Sequence, residues 1–195
     1  MIDARGDGIL VSPTLERKLV SPFTTLKNIK SIIDIFSENP KKYMPSLVLA
    51  EEVLREPGAL SAAEREIIAA YTSYLNGCSF CYDSHAEFAR SLGVSDAELT
   101  SIIREEYSLH RLEQVFKYVK KLTLKPNSIQ ISDFNDVVSS GVSEDELKDA
   151  IAVCAAFNYY NRIVEGHFLE TNPEGFKQDA EMINKFGYDR RRFNA

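Results

Sequence analysis

One interruption constrains this chain more than any other feature. Between Glu66 and His85 a helical pattern runs unbroken except at Asn76-Gly77, and it resumes from Cys78. Glycine after an asparagine is a common way for a helix to stop. A helix restarting at once places Cys78 in its first turn, Cys81 three positions on and His85 four beyond that. Neighbours three and four apart share a helix face, so two thiols and an imidazole would point into one small volume.

The rest of the chain reads as helix after helix. Pro13 opens a short one ending near Leu19. From Thr25, residues Leu26, Ile29, Ile32, Ile33 and Phe36 recur at helical spacing, and Asn39-Pro40 closes the run or starts the next helix with Pro in its first turn. Tyr43 to Glu56 forms the next, ended by Pro57-Gly58. Ser61-Ala-Ala-Glu64 is a capping box, in which the serine hydroxyl and the glutamate side chain satisfy each other's orphan amides. The helix it opens carries Ile67, Ile68, Tyr71, Tyr74 and Leu75 on a broad apolar arc. Glu66 lies just off that arc with Ala69, Ala70 and Ser73, where small neighbours would let another helix approach and enclose the carboxylate. The plainer reading of Glu66 is a first-turn acid complementing the helix dipole.

Gly93-Val-Ser-Asp-Ala-Glu-Leu99 returns 48 positions later as Gly141-Val-Ser-Glu-Asp-Glu-Leu147, each a glycine C-cap followed by a serine N-cap. The repeat suggests two related helical units, although caps converge on these residues. Leu109, Leu112, Phe116, Val119 and Leu122 mark a long amphipathic helix between them. Ser143 to Val164 is apolar all round at Ile151–Phe157, which suits a central helix or a subunit interface. Cys154, within that run, reads as a small core hydrophobe. Glu174 to Phe186 is the last helix. No segment alternates as a strand does, so the expected class is all-α.

Composition narrows the function. A net charge of −6 argues against nucleic acid as the main partner, and Arg190-Arg191-Arg192 reads as a solvated tail. Met1 to Leu10 lacks an apolar core of a secretion signal, and Ile151–Phe157 is far too short to span a bilayer. The expectation is a cytoplasmic protein without membrane partners. In a reducing compartment a close Cys-x-x-Cys is more often catalytic or metal-binding than structural.

Three chemistries fit these residues. A thiol near a helix N-terminus gains thiolate character, a second thiol three residues away can capture an oxidised sulfur as a disulfide, and His85 can take a proton from Cys81 one turn away. A carboxylate behind the imidazole would orient it. This is a dithiol redox centre. Alternatively Cys78, Cys81, His85 and Glu66 make a mixed zinc site, though no second ligand couple accompanies them. The third reading is structural, with buried cysteines and a satisfied histidine.

Glu66, Cys78, Cys81 and His85 together match Glu-x11-Cys-x2-Cys-x3-His, and here the chain resembles the AhpD-like alkylhydroperoxidases of the carboxymuconolactone decarboxylase superfamily, in its peroxidase-related branch. The similarity runs through Asp83-Ser-His85-Ala, Ala89-Arg90, Gly93–Leu99 and Phe157-Asn-Tyr-Tyr-Asn-Arg162, covering roughly residues 44–165. It implies one all-helical domain over 1–195: a helical extension 1–43, an AhpD-like core 44–165, and a C-terminal helix and tail 166–195. It further implies a homo-oligomer (dimer, trimer or hexamer) and thiol-dependent reduction of hydroperoxides without a cofactor or metal, reset by an external dithiol or protein reductant. Glu66 and His85 would form the proton relay, Cys81 would attack the peroxide and Cys78 would resolve. Helix-dipole reasoning favours Cys78 as the more acidic thiol; a directly placed base favours Cys81, which is the assignment adopted. The alternatives are a general thiol–disulfide oxidoreductase and a metal-binding or non-redox helical oligomer.

One departure stands inside the motif. Such peroxidases carry a second histidine just before the later cysteine, where this chain has Phe80. His110 and His167 read as satisfied surface or core histidines, Tyr71 and Tyr74 as core or pocket lining. Tyr159, Tyr160, Asn161 and Arg162 read as interface or pocket lining.

Overall fold

The computed structural model describes residues 22–26, 29–107 and 110–189. The short helix expected after Pro13 and the Arg190–Arg192 tail lie outside them. The described residues form ten α-helices and one 3-10 turn, with no strand, so the all-α expectation holds. In chain order these are α1 Ile32–Glu38, α2 Pro40–Tyr43, α3 Pro45–Leu54, α4 Ala62–Leu75, α5 Ser79–Ser91, α6 Asp96–Ile103, α7 Glu113–Leu124, α8 Ile131–Ser139, α9 Glu144–Gly166 and α10 Pro173–Phe186, with the turn at Pro126–Ser128.

Local chemistry sets most boundaries. Ser31, Ser61 and Ser143 each cap a helix reciprocally with the acid three residues on, and Ser95 accepts from the Glu98 amide. Gly93 and Gly141 sit at φ +97° and +92°, the left-handed conformation that ends a helix and that glycine adopts without strain. The first helix is shorter than its apolar spacing predicts: it begins at Ile32, because the Ser31–Asp34 capping box fixes its start. The expected Tyr43–Glu56 helix is divided, since Pro45 takes the first position of α3 after the one-turn α2. The long helix expected from Leu109 starts at Glu113, and α8 has no counterpart among the expectations.

The centre is α4. Every residue from Arg65 to Ser73 is buried, because α3, α5, α7 and α9 pack around it. The strip of small residues does what its composition predicts: α9 lies against it, and Asn161 Nδ2 donates to Ser73 Oγ at 2.9 Å. By contrast α9, which reads as the most buried helix, buries one face and leaves Ala152, Ala155 and Tyr159 exposed. The helix α10 covers the outer side of α5, where Phe176 meets Phe80 edge-on at 5.0 Å and Phe88 packs with Ala180 and Ile183. Among the described residues, no helix is long and apolar enough to cross a membrane.

Candidate active site

The turn between α4 and α5 is three residues long and does two jobs. Gly77 sits at φ +71°, its amide donates to Tyr74 O at 3.0 Å, and the Cys78 amide donates to Ser73 O at 3.0 Å. This paired pattern closes a helix around a left-handed residue. Cys78 is therefore the last partner of α4 and also the N-cap of α5. It stands one position earlier than the sequence pattern implies: outside the first turn, while Cys81 is the third residue within it.

The two sulfurs differ in surroundings. Cys78 is fully buried, and Cys81 is 3% exposed and lines a cavity of about 470 Å³. The Cys78 thiol is hydrogen-bonded to Cys81, and that bond, together with burial, pushes its pKa well above the ordinary thiol range. These contacts outweigh the helix dipole, which by itself would make Cys78 the more acidic thiol. Both are free cysteines. Cys154 lies elsewhere in the core, against Thr123 Oγ1 at 3.3 Å, and burial raises its pKa as well.

His85 follows Cys81 by one helical turn and lines the same cavity. Its ring is fixed by Phe157 and Phe88, both edge-on at 4.4 and 5.1 Å, and by Tyr188, which stacks at 6.3 Å. His85 Nδ1 meets Glu66 Oε2 at 2.6 Å. A carboxylate accepts, so Nδ1 carries the hydrogen and Nε2 is the nitrogen left as a base.

Glu66 is wholly buried, and so is not a solvated first-turn acid. Its second oxygen takes two further donors: Arg55 Nη1 at 2.5 Å and the Tyr188 hydroxyl at 2.7 Å. Burial pushes the Glu66 pKa up, but His85, Arg55 and Tyr188 together outweigh it and hold the group below the usual carboxylate range. The structure sets Glu66 against His85, Cys81 and His85 on one cavity wall, and Cys78 against Cys81. The sequence gives no sign of Arg55 or Tyr188. Arg55 merely ends α3, and Tyr188 arrives from far along the chain.

Tyr188 is delivered by a bend after α10. Gly187 takes φ +70° and ψ −174°, a combination essentially restricted to glycine, and a Cβ there would collide with the Glu51 carboxylate. Glu51 Oε2 accepts from the Tyr188 amide at 2.5 Å and the Asp189 amide at 3.2 Å. The carboxylate thus holds the segment that carries the tyrosine inward.

The cavity wall is mostly apolar: Ile32, Ile33, Phe36, Phe80, Phe157 and Phe176 are among its lining residues. Phe80, at the position of the second histidine in related motifs, supplies apolar wall and no proton. Tyr160 also reaches the cavity and donates to Ser46 O at 2.6 Å. Tyr71 packs into the core against Phe116 and Tyr107. His110 is held by Glu98 at 3.0 Å and by the Leu112 amide, and His167 meets Ile163 O at 2.7 Å. Among the described residues, no group of three or more His, Cys, Asp or Glu side chains is arranged to hold a metal ion.

The chain is 23% identical over 127 residues to the uncharacterized protein YdfG of Bacillus subtilis, covering 60% of this chain and 82% of that one. A peroxidase-related protein from Silicibacter superposes with a TM-score of 0.67 at 22% identity, over 73% of this chain and 76% of that one. Another from Ralstonia eutropha, described as an alkylhydroperoxidase AhpD core, gives 0.68 at 19% identity over 75% and 78%. Both are uncharacterized, and the likeness to them is one of fold. Residues 45–121, from the start of α3 into α7, match the model of the carboxymuconolactone decarboxylase family and enclose Arg55, Glu66, both cysteines and His85. Over that stretch the chain is similar to the carboxymuconolactone decarboxylase family, and its fold is that of the AhpD-like peroxidase-related proteins.

Proposed function

We propose that this protein reduces organic hydroperoxides through a Cys78–Cys81 dithiol cycle, with Cys81 as the attacking sulfur. The observation that carries the reading is the inequality of the thiols. Cys81 and His85 share the wall of the cavity, while Cys78 is fully buried against Cys81, which with burial raises its pKa. His85 Nε2 accepts the Cys81 proton, and Glu66 steadies the imidazolium that results. The thiolate attacks the outer peroxide oxygen, the O–O bond breaks, and the alcohol leaves with the proton from His85. Cys81 is then a sulfenic acid. Cys78 attacks that sulfur, water departs, and a disulfide forms. An external dithiol or protein reductant returns both thiols and is itself oxidised. Over the cycle, one hydroperoxide and one dithiol give one alcohol, one water and one disulfide.

An apolar cavity of this size favours a hydroperoxide with a hydrocarbon body over hydrogen peroxide. The proposal includes a homo-oligomer, which light scattering of purified protein measures directly. Purified protein mixed with dithiothreitol and cumene hydroperoxide should consume peroxide catalytically. Turnover should vanish in Cys81→Ser, and unchanged turnover in that variant would sink the assignment. A general thiol–disulfide oxidoreductase would instead reduce a disulfide substrate and leave the hydroperoxide untouched.

A further inference from the structure

The relay described above ends at Glu66, but the structure does not. Arg55 and Tyr188 both engage Glu66 Oε1, opposite the oxygen that faces His85. Arg55 also lies over the Tyr188 ring, 4.9 Å from its centroid, and Tyr188 in turn stacks on His85. Four side chains from α3, α4, α5 and the segment after α10 thus form one closed unit around a single carboxylate. Tyr188 lies outside the matched family domain, so this unit is completed by chain that the domain does not contain.

We propose that Arg55 and Tyr188 are positioning residues of the site, which compensate the Glu66 charge on its far oxygen and so leave the His85 imidazole free to accept the Cys81 proton, and that docking of Gly187–Asp189 onto Glu51 assembles this state. The proposal rests on the dithiol reading for its consequence and on the Arg55–Glu66–Tyr188 contacts for its geometry. A buried carboxylate facing a histidine alone pulls a proton onto the ring, because each charge stabilises the other. A guanidinium already paired with that carboxylate weakens the pull, since arginine stays charged throughout the working range. The tyrosine hydroxyl disperses the remaining charge through a donated hydrogen bond.

Other charges facing the cluster are few and mostly engaged. On α3, Glu51 accepts the Tyr188 and Asp189 amides. On α4, Arg65 feels Asp149 as well as Arg55 and Glu66. The two thiols stand on the α5 side, Tyr160 on α9, Asp179 on α10, and Asp189 follows Tyr188. Among these, only Arg55 and His85 form ion pairs with Glu66.

The test follows the pH dependence of Cys81 alkylation by iodoacetamide in the full chain, with the His85 ring signal titrated by NMR alongside. In Arg55→Gln the acid limb of the rate profile and the His85 midpoint should both move up by about one to three pH units. Arg55→Lys should restore most of the shift, and Tyr188→Phe should move both in the same direction by less. If Arg55→Gln does not fold, Tyr188→Phe and Glu51→Gln carry the test, because each weakens the tyrosine contact without removing the guanidinium. Profiles and ring titrations that superpose on the unaltered protein would overturn the proposal. Neither readout involves a hydroperoxide, so absence of peroxidase turnover would reject the function above and leave this result standing.

Discussion

One helical turn separates Cys81 from His85, and the site's chemistry turns on which sulfur that histidine serves. Cys78→Ser should keep a single turnover and stop as a Cys81 sulfenic acid, trapped by dimedone and located by mass spectrometry. Cys81→Ser should give no such adduct at Cys78. Replacing His85 by Gln should lower kcat/KM by about a hundredfold or more, as for loss of a positioned general base. Glu66 contributes in a second way, through acid stability. Its folded pKa lies below the unfolded value, so its stabilisation is complete above the ordinary carboxylate range and is lost as pH falls through the depressed folded value. A Glu66→Gln variant should therefore lose part of the acid-side slope in urea-unfolding free energy measured from neutral pH downward. A slope equal to that of the unaltered chain would show that folding does not lower the Glu66 pKa.

At the scale of elements, the sequence was informative where chemistry is local. Capping serines, left-handed glycines and apolar spacing place α4, α5, α6, α9 and α10 close to where they stand. The motif residues were legible for the same reason, since Cys78, Cys81 and His85 lie within two turns of each other and Glu66 shares one hairpin with them. Two things were hidden. The helix α8 lacks a strong N-cap residue, its box resting on Gln130 and Asp133, and Ile131 at its start is 80% exposed. Arg55 and Tyr188 are joined to the site by contacts spanning more than a hundred residues for the tyrosine, which no local pattern records. The bend at Gly187 is the trace such a contact leaves. Gly187→Ala should cost about 1–3 kcal/mol from the backbone conformation alone. Amide exchange should then quicken at Tyr188 and Asp189 while α4 stays protected. Equal protection of that segment in both proteins would show that Glu51 does not depend on the bend to hold it.

Across the whole molecule, the arrangement is a buried hairpin enclosed from two sides. The α4–α5 turn fixes the cysteines, α3 and α9 supply the arginine and the aromatic wall, and α10 with its trailing segment closes the outer face. Phe157 contributes to both stability and site, because its ring touches His85 and fills the core between α9 and α5. Phe157→Ala should destabilise the fold by about 3–5 kcal/mol, read from thermal or urea unfolding, and should loosen the imidazole it holds. The all-α class followed from the sequence because helix punctuation recurs along the whole chain. The closure by the C-terminal segment did not, because it depends on which ends meet. The most direct measurement of the central claim is intact-mass and peptide mapping after one equivalent of cumene hydroperoxide. The account requires a loss of two hydrogens located in a Cys78–Cys81 disulfide, and in Cys78→Ser a gain of one oxygen on Cys81. Oxygen found on Cys78 in Cys81→Ser, or two thiols unchanged while peroxide is consumed, would contradict it.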